Sequence, residues 1–137
     1  MPPSATTDPL DVVSGLITAI ETGDVGAARA IYHPKVTIWH NTDGLTQTVE
    51  ENLETLRQLV AVTTERRYDD VRRYAFDKGG GVTGVVEQHV LRATFVNGRT
   101  LELSACLIVD VVDGRITALD EYFDSAALSA RSRTAGQ

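Results

Sequence analysis

The sequence predicts an α+β domain in which three N-terminal helices cover one face of a curved, mostly antiparallel sheet. Three observations predict it. Apolar residues recur at helical spacing through the first half of the chain. Long β-rich runs, broken by glycine turns, fill the second half. The helices come first and the strands follow as a meander, the order expected when helices gather on one face of an antiparallel sheet.

Asp8 fits an N-cap with Pro9 at the first helical position, and the first helix runs to about Thr22. Leu10, Val13, Leu16, Ile17 and Ile20 form its apolar face. Gly23 stops it, and Asp24 caps a short second helix that reaches about Tyr32. His33-Pro34 ends that helix, because proline disfavours helical backbone at the preceding residue, and His33 reads as a surface turn residue. Val36–His40 follows as a strand and residues 41–44 as a loop. Thr48 with Glu51 fits a capping box for a third helix reaching Val62, with a stripe of Leu53, Leu56, Leu59 and Val60. Strands are expected at about 66–77, 82–96, 100–112 and 115–124, with turns at 79–81, 97–98 and 113–114. The 137 residues suit one domain, ordered over about 8–125 with loose polar segments at 1–7 and about 126–137.

Asp113-Gly114 is a strong hairpin signal, because Gly adopts φ > 0 without a Cβ penalty. The strand after it carries Glu121 among Leu119, Tyr122 and Phe123. If the two glycine hairpins have three-residue loops with a bulge, His89 pairs with Ala105 and Ala105 with Glu121. If both are tight two-residue loops, His89 pairs with Cys106 and Cys106 with Glu121. Either way His89 and Glu121 share a row and a face, with backbones roughly 10 Å apart. In the bulged register that face also holds Leu91, Leu103, Leu107, Leu119 and Phe123, with Glu87 one step away beside Leu107 and Ala105 leaving space between His89 and Glu121. The tight register replaces the fourth-strand members with Glu102, Ser104, Cys106 and Ile108. The first face is the more apolar and is the expected interior. On the first strand, Ile38 and His40 share a face and Trp39 points the other way.

Asp113-Gly114-Arg115-Ile116 followed by Glu121-Tyr122-Phe123-Asp124 resembles the last hairpin of the SnoaL-like branch of the nuclear transport factor 2-like superfamily. That superfamily holds ketosteroid isomerases, limonene-epoxide hydrolases, polyketide cyclases and dehydratases, along with many domains of no known activity. The resemblance implies a cone-shaped fold with a deep pocket, and it puts His40 inside, where isomerases carry their proton-shuttling Asp and epoxide hydrolases an Asn. By the same resemblance, Glu121 matches the basic carboxylate of the epoxide hydrolases and SnoaL-type cyclases. His89 matches an Asp of the epoxide-hydrolase triad, and Tyr32 a pocket Tyr of the isomerases. The chain also departs from these patterns. The hydrolase Arg falls at Glu87 and its water-binding Tyr at Ile38. The isomerase oxyanion Tyr falls near Leu16 and its protonated Asp near Leu103 or Ser104, while the cyclase His falls at Leu107. None of the three constellations is complete.

The expected catalytic set is therefore Glu121, His89 and His40, in a pocket lined by Tyr32, Ile38, Glu87, Leu91, Leu103, Ala105, Leu107, Leu119 and Phe123. A carboxylate in an apolar pocket suits proton transfer. The expected function is cofactor-free acid/base chemistry on an apolar small molecule: isomerisation, dehydration, cyclisation or hydration. The alternative is a non-catalytic binding or dimerising domain. A third possibility is a metal site built from His40, His89, Glu87 and Glu121, although the resemblance implies no metal. Trp39 and Tyr122 fall on the outer sheet face, through which proteins of this fold commonly form homodimers. Cys106 reads as a small buried hydrophobe, Asp124 as a turn group at the chain exit, and the mixed-charge run Glu65–Arg73 as a solvated strand face.

A net charge of −6 and the lack of a basic run argue against nucleic acid and anionic membrane surfaces as partners. The single cysteine fits a reducing compartment, and the polar start lacks the apolar region of a signal peptide; the expected location is the cytoplasm.

Overall fold

The computed structural model of the protein describes residues 8–124 and Ala126. Apart from Ala126, the expected loose ends lie outside the described residues. Helices α1 (Pro9–Thr22), α2 (Val25–Ile31) and α3 (Val49–Val62) pack on a six-stranded sheet. Its strands are β1 (Tyr32–His40), β2 (Thr46–Gln47), β3 (Thr63–Gly79), β4 (Val82–Phe95), β5 (Thr100–Val112) and β6 (Arg115–Phe123). They lie in the order β2-β1-β6-β5-β4-β3, antiparallel throughout except for the parallel pair β1–β6.

Local chemistry sets the helix ends as expected. The Asp8 side chain accepts from Leu10 N, and Gly23 closes α1 at φ 76° while Asp24 N donates to Ala19 O. The Thr48–Glu51 capping box is complete. The Arg66 guanidinium crosses from β3 to donate to Ile20 O and Glu21 O, satisfying carbonyls at the end of α1. The core lies between helices and sheet, around Val13, Leu16, Ile38, Leu53, Val85, Val109 and Ile116.

Several expectations are corrected. Strand β1 begins at Tyr32, not Val36, and passes through His33-Pro34; it pairs with β6 at Tyr32 and again from Thr37, with an irregularity between. His33 is thus a half-buried strand residue, not a surface turn. The short strand β2, between the expected loop at 41–44 and α3, was not anticipated. Cys106 is half-buried and pairs with Tyr122 on the outer face rather than sitting in the core. The run Glu65–Arg73 is only partly a solvated face. Arg67 pairs with Glu65 and Asp69 at the surface, but Tyr68 and Arg73 pair with the inward positions Leu91 and Glu87.

The row expected to join His89 and Glu121 does not form. The β4–β5 hairpin has the looser loop, and His89 pairs with Ala105. The Asp113-Gly114 turn is tight, with both residues at positive φ, as a type I′ turn requires. A bulge then shifts the β5–β6 register: Val111 pairs with Ile116 but Asp110 with Ala118, leaving Thr117 extra. The rows are Glu87–Leu107–Glu121 and His89–Ala105–Phe123. Ala105 therefore faces Phe123 and opens no space between His89 and Glu121. The apolar face of the bulged alternative is nevertheless the interior.

Candidate active site

Between the sheet and helices α1 and α3 lies a cavity of about 190 Å³. An apolar cavity of roughly 150 Å³ accepts a benzene-sized ligand, so this one has room for at least one ring. Its sheet side is made by Ile38, Leu91, Leu103, Leu107, Leu119 and Phe123, all expected there. The helices add Leu16, Ile17, Ile20, Leu56 and Leu59. Against this apolar wall stand four polar groups from the sheet, Tyr32, His40, Tyr68 and Glu121, and two from α3, Asn52 and Thr55.

Residues His40 and Glu121 form a pair. Their backbones are register partners on the parallel strands β1 and β6, so both side chains enter the cavity from the same row. His40 Nε2 lies 3.1 Å from Glu121 Oε1, with the side chains 19% and 26% exposed, so the pair is reachable yet partly desolvated. The contact with Glu121 holds the His40 pKa above its ordinary value, against the opposing effect of burial. The strand ends are fixed by Asn41. Its backbone N–H donates to Glu121 O, its side-chain amide donates to Phe123 O, and its Oδ1 accepts from Phe123 N. Asn41 thereby extends the parallel ladder by one side chain, and the positions of His40 and Glu121 are clamped together.

The hydroxyl of Tyr32 donates to Asn52 Oδ1 at 3.1 Å, and the Asn52 amide donates to Gln47 Oε1. Burial, with Glu121 nearby, pushes the Tyr32 phenol well above its ordinary pKa, so it stays protonated.

His89, expected in the catalytic set, and Glu87 and Ala105, expected in the pocket lining, are not among the residues that line the cavity. Glu87 is fully buried and His89 is 4% exposed. The Arg73 guanidinium donates to Glu87 Oε1, and His89 Nδ1 meets Glu87 Oε2 at 2.5 Å. Arg73 reaches Glu87 because of a bulge in β3: Asp69 pairs with Val90 and Arg72 with Gln88, so Asp70 and Val71 together oppose His89. Asp70 sits at φ 55°. This switches the inward position from Arg72 to Arg73. Among the described residues, no three of His, Cys, Asp and Glu converge as a metal-ligand group.

Sequence reasoning missed Tyr68, Asn52, Asn41 and Arg73. Tyr68 carried a signal, as an aromatic residue inside a charged strand. Asn52 carried a weaker one, as a polar residue beside the apolar stripe of α3.

On the outer face Trp39 and Tyr122 meet edge to face at 5.3 Å, as their outward alternation predicts. Tyr74, Phe76, Ile108 and Tyr122 leave large exposed apolar surface there. No described helix is long and apolar enough to cross a membrane.

Comparisons with known proteins agree with this fold. No curated protein matches the chain. A proposed polyketide cyclase of Xanthomonas campestris is 21% identical, with a TM-score of 0.75 over 89% of this chain and 94% of its own. A protein of unknown function from Burkholderia pseudomallei, described as NTF2-like, is 20% identical, with a TM-score of 0.71 over 91% and 97%. IdmH, a proposed polyketide cyclase of Streptomyces antibioticus, is 21% identical, with a TM-score of 0.71 over 91% and 98%. These likenesses establish the cone-shaped nuclear transport factor 2-like fold. The sequence pattern of the SnoaL-like domain matches residues 13–119, nearly the whole described core, and the chain belongs to the SnoaL-like domain family.

Proposed function

We propose that this protein is a cofactor-free acid/base enzyme acting on an apolar small molecule, with the His40–Glu121 pair as its proton-transfer group. The observation that carries this reading is the 3.1 Å pair in the wall of a largely apolar cavity with room for a ring. Few structural needs account for an acid and a base placed together against Leu103, Leu107, Leu119 and Phe123, whereas proton transfer needs such a pair. In the proposed reaction the Glu121 carboxylate takes a proton from a carbon next to a carbonyl, and the C–H electron pair moves onto the carbonyl oxygen. His40 or the protonated carboxyl then returns a proton elsewhere on the same molecule, so no electrons are gained or lost overall. Isomerisation and cyclisation both follow this course, and the proposed cyclases of the same fold make polyketide-like carbonyl compounds the first substrates to try. We also propose a homodimer through the exposed outer-face aromatics, and a cytoplasmic location.

The test pairs ligand-induced thermal stabilisation with product analysis, for the wild type and Glu121→Gln. The panel would hold steroids, terpene epoxides, aromatic polyketides and hydroxy-acyl compounds. A ligand at 100 times its dissociation constant adds about 2.7 kcal/mol, a shift of several degrees. The expected result is stabilisation of both forms by one compound class, with turnover falling at least about 100-fold in Glu121→Gln. Stabilisation without turnover by the wild type would leave a binding domain instead. If no class stabilised the wild type, the cavity would lose its assigned role.

A further inference from the structure

The cavity is lined by three hydroxyl groups, and two of them are already committed. Tyr32 donates to Asn52, and Thr55 donates to Glu51 O and accepts from Gln47. The third, on Tyr68, makes no hydrogen bond among the described residues, and no sealed-off side-chain polar atom lacks a partner there. The Tyr68 hydroxyl is therefore open to the cavity and has a hydrogen to give. Its backbone is tied down, because Tyr68 N donates to Glu21 Oε2 at the end of α1.

The ring of Tyr68 is also fixed. The imidazole of His89 meets it edge to face, with centroids 4.7 Å apart and planes at 85°. Behind His89 stand Glu87 and then Arg73, which is 22% exposed and reaches the protein surface. A buried histidine, a fully buried carboxylate and an arginine are costly to assemble in a strand interior, since each loses hydration that only good geometry restores. None of the three lines the cavity, but together they brace Tyr68, which does.

We infer that Tyr68 is the hydrogen-bond donor to an oxygen atom of the ligand, and that Arg73, Glu87 and His89 are positioning residues that hold its ring. This rests on the acid/base reading of the same cavity and narrows it: the ligand is an apolar compound carrying a carbonyl or similar acceptor oxygen. Tyr68 steadies the charge gathering on that oxygen while His40 and Glu121 move the proton. Burial, with Glu121 next in effect, raises the Tyr68 phenol above its ordinary pKa, so it keeps its proton at neutral pH.

The test compares two single-ring probes of matched size, acetophenone and isopropylbenzene, titrated into the wild type, Tyr68→Phe and His89→Gln. The expected result is that Tyr68→Phe weakens the ketone about ten-fold relative to the hydrocarbon, the worth of one good hydrogen bond, and leaves hydrocarbon affinity unchanged. The carbonyl carbon of the bound ketone, labelled with ¹³C, should resonate downfield in the wild type and lose that shift in Tyr68→Phe. His89→Gln should reduce the ketone preference in part, again without weakening the hydrocarbon, which a merely structural role would not do. If both probes bind and neither preference nor carbonyl shift responds to Tyr68→Phe, the inference is overturned while the cavity reading stands. If neither probe binds the wild type, both fall.

Discussion

Replacing Glu87 tests whether the buried chain behind Tyr68 is as tightly coupled as its geometry implies. The Glu87 side chain is 0% exposed, and its two oxygens are divided between Arg73 and His89, themselves 22% and 1% exposed. Glu87→Ala removes the shared acceptor. Arg73 can turn partly toward water, but the His89 ring is left buried with Nδ1 unpaired. Breaking a buried pair in this way costs about 3–5 kcal/mol, of which the isosteric Glu87→Gln should recover part, because its one carbonyl can serve His89 or Arg73 but not both. We expect about 4 kcal/mol for Ala and about 2 kcal/mol for Gln. At roughly 3–5 °C per kcal/mol for a domain of this size, the alanine variant should melt about 10–20 °C lower. Equilibrium urea unfolding followed by circular dichroism gives both values, provided the denaturant slope is unchanged. A loss below about 1 kcal/mol for Glu87→Ala would refute the reasoning, since a solvated surface carboxylate is worth that little.

Two further predictions follow from other contacts. His40 has a raised pKa in the folded protein, so its pairing with Glu121 stabilises the fold fully below the unfolded imidazole value near 6.5, and the gain fades as pH rises through the higher folded value; the stability gap between wild type and His40→Asn should therefore shrink as pH rises above about 6.5, and a gap that widened instead would mean the sign is wrong. Thr48→Ala opens the capping box of α3 and should cost about 1 kcal/mol, read as faster amide exchange at Glu51 and a lower urea midpoint.

Much of the fold could be read from the sequence because its boundaries are written in single side chains. Asp8, Gly23, Thr48 with Glu51, and Asp113-Gly114 each encode a backbone conformation directly. The interior face was readable too, because one face gathers Leu91, Leu103, Leu107, Leu119 and Phe123 while the alternative brings in Glu102 and Ser104. The rows within that face were not. They depend on the Thr117 bulge, a backbone device that no residue type announces. A trace of it exists: Ile116 and Leu119 are both buried although three positions apart, which strict alternation forbids. The Asp70 bulge in β3 hid Arg73 in the same way, and with it the reason for burying Glu87. The His40–Glu121 pairing was hidden for another reason. It comes from a parallel contact between the start and end of the sheet, and turn chemistry fixes only neighbouring strands.

The parallel β1–β6 pair also bears on how the site comes into being. Asn41 and Phe123, which clamp it, are 82 residues apart in sequence, while β3, β4 and β5 can zip up through local hairpins. Contacts of such long range carry a large loop-closure cost and tend to form late. During synthesis, a chain that has not yet released β6 holds His40 with no Glu121 beside it and leaves one wall of the cavity missing. The proposed proton-transfer pair would then be assembled only with the final closure of the sheet.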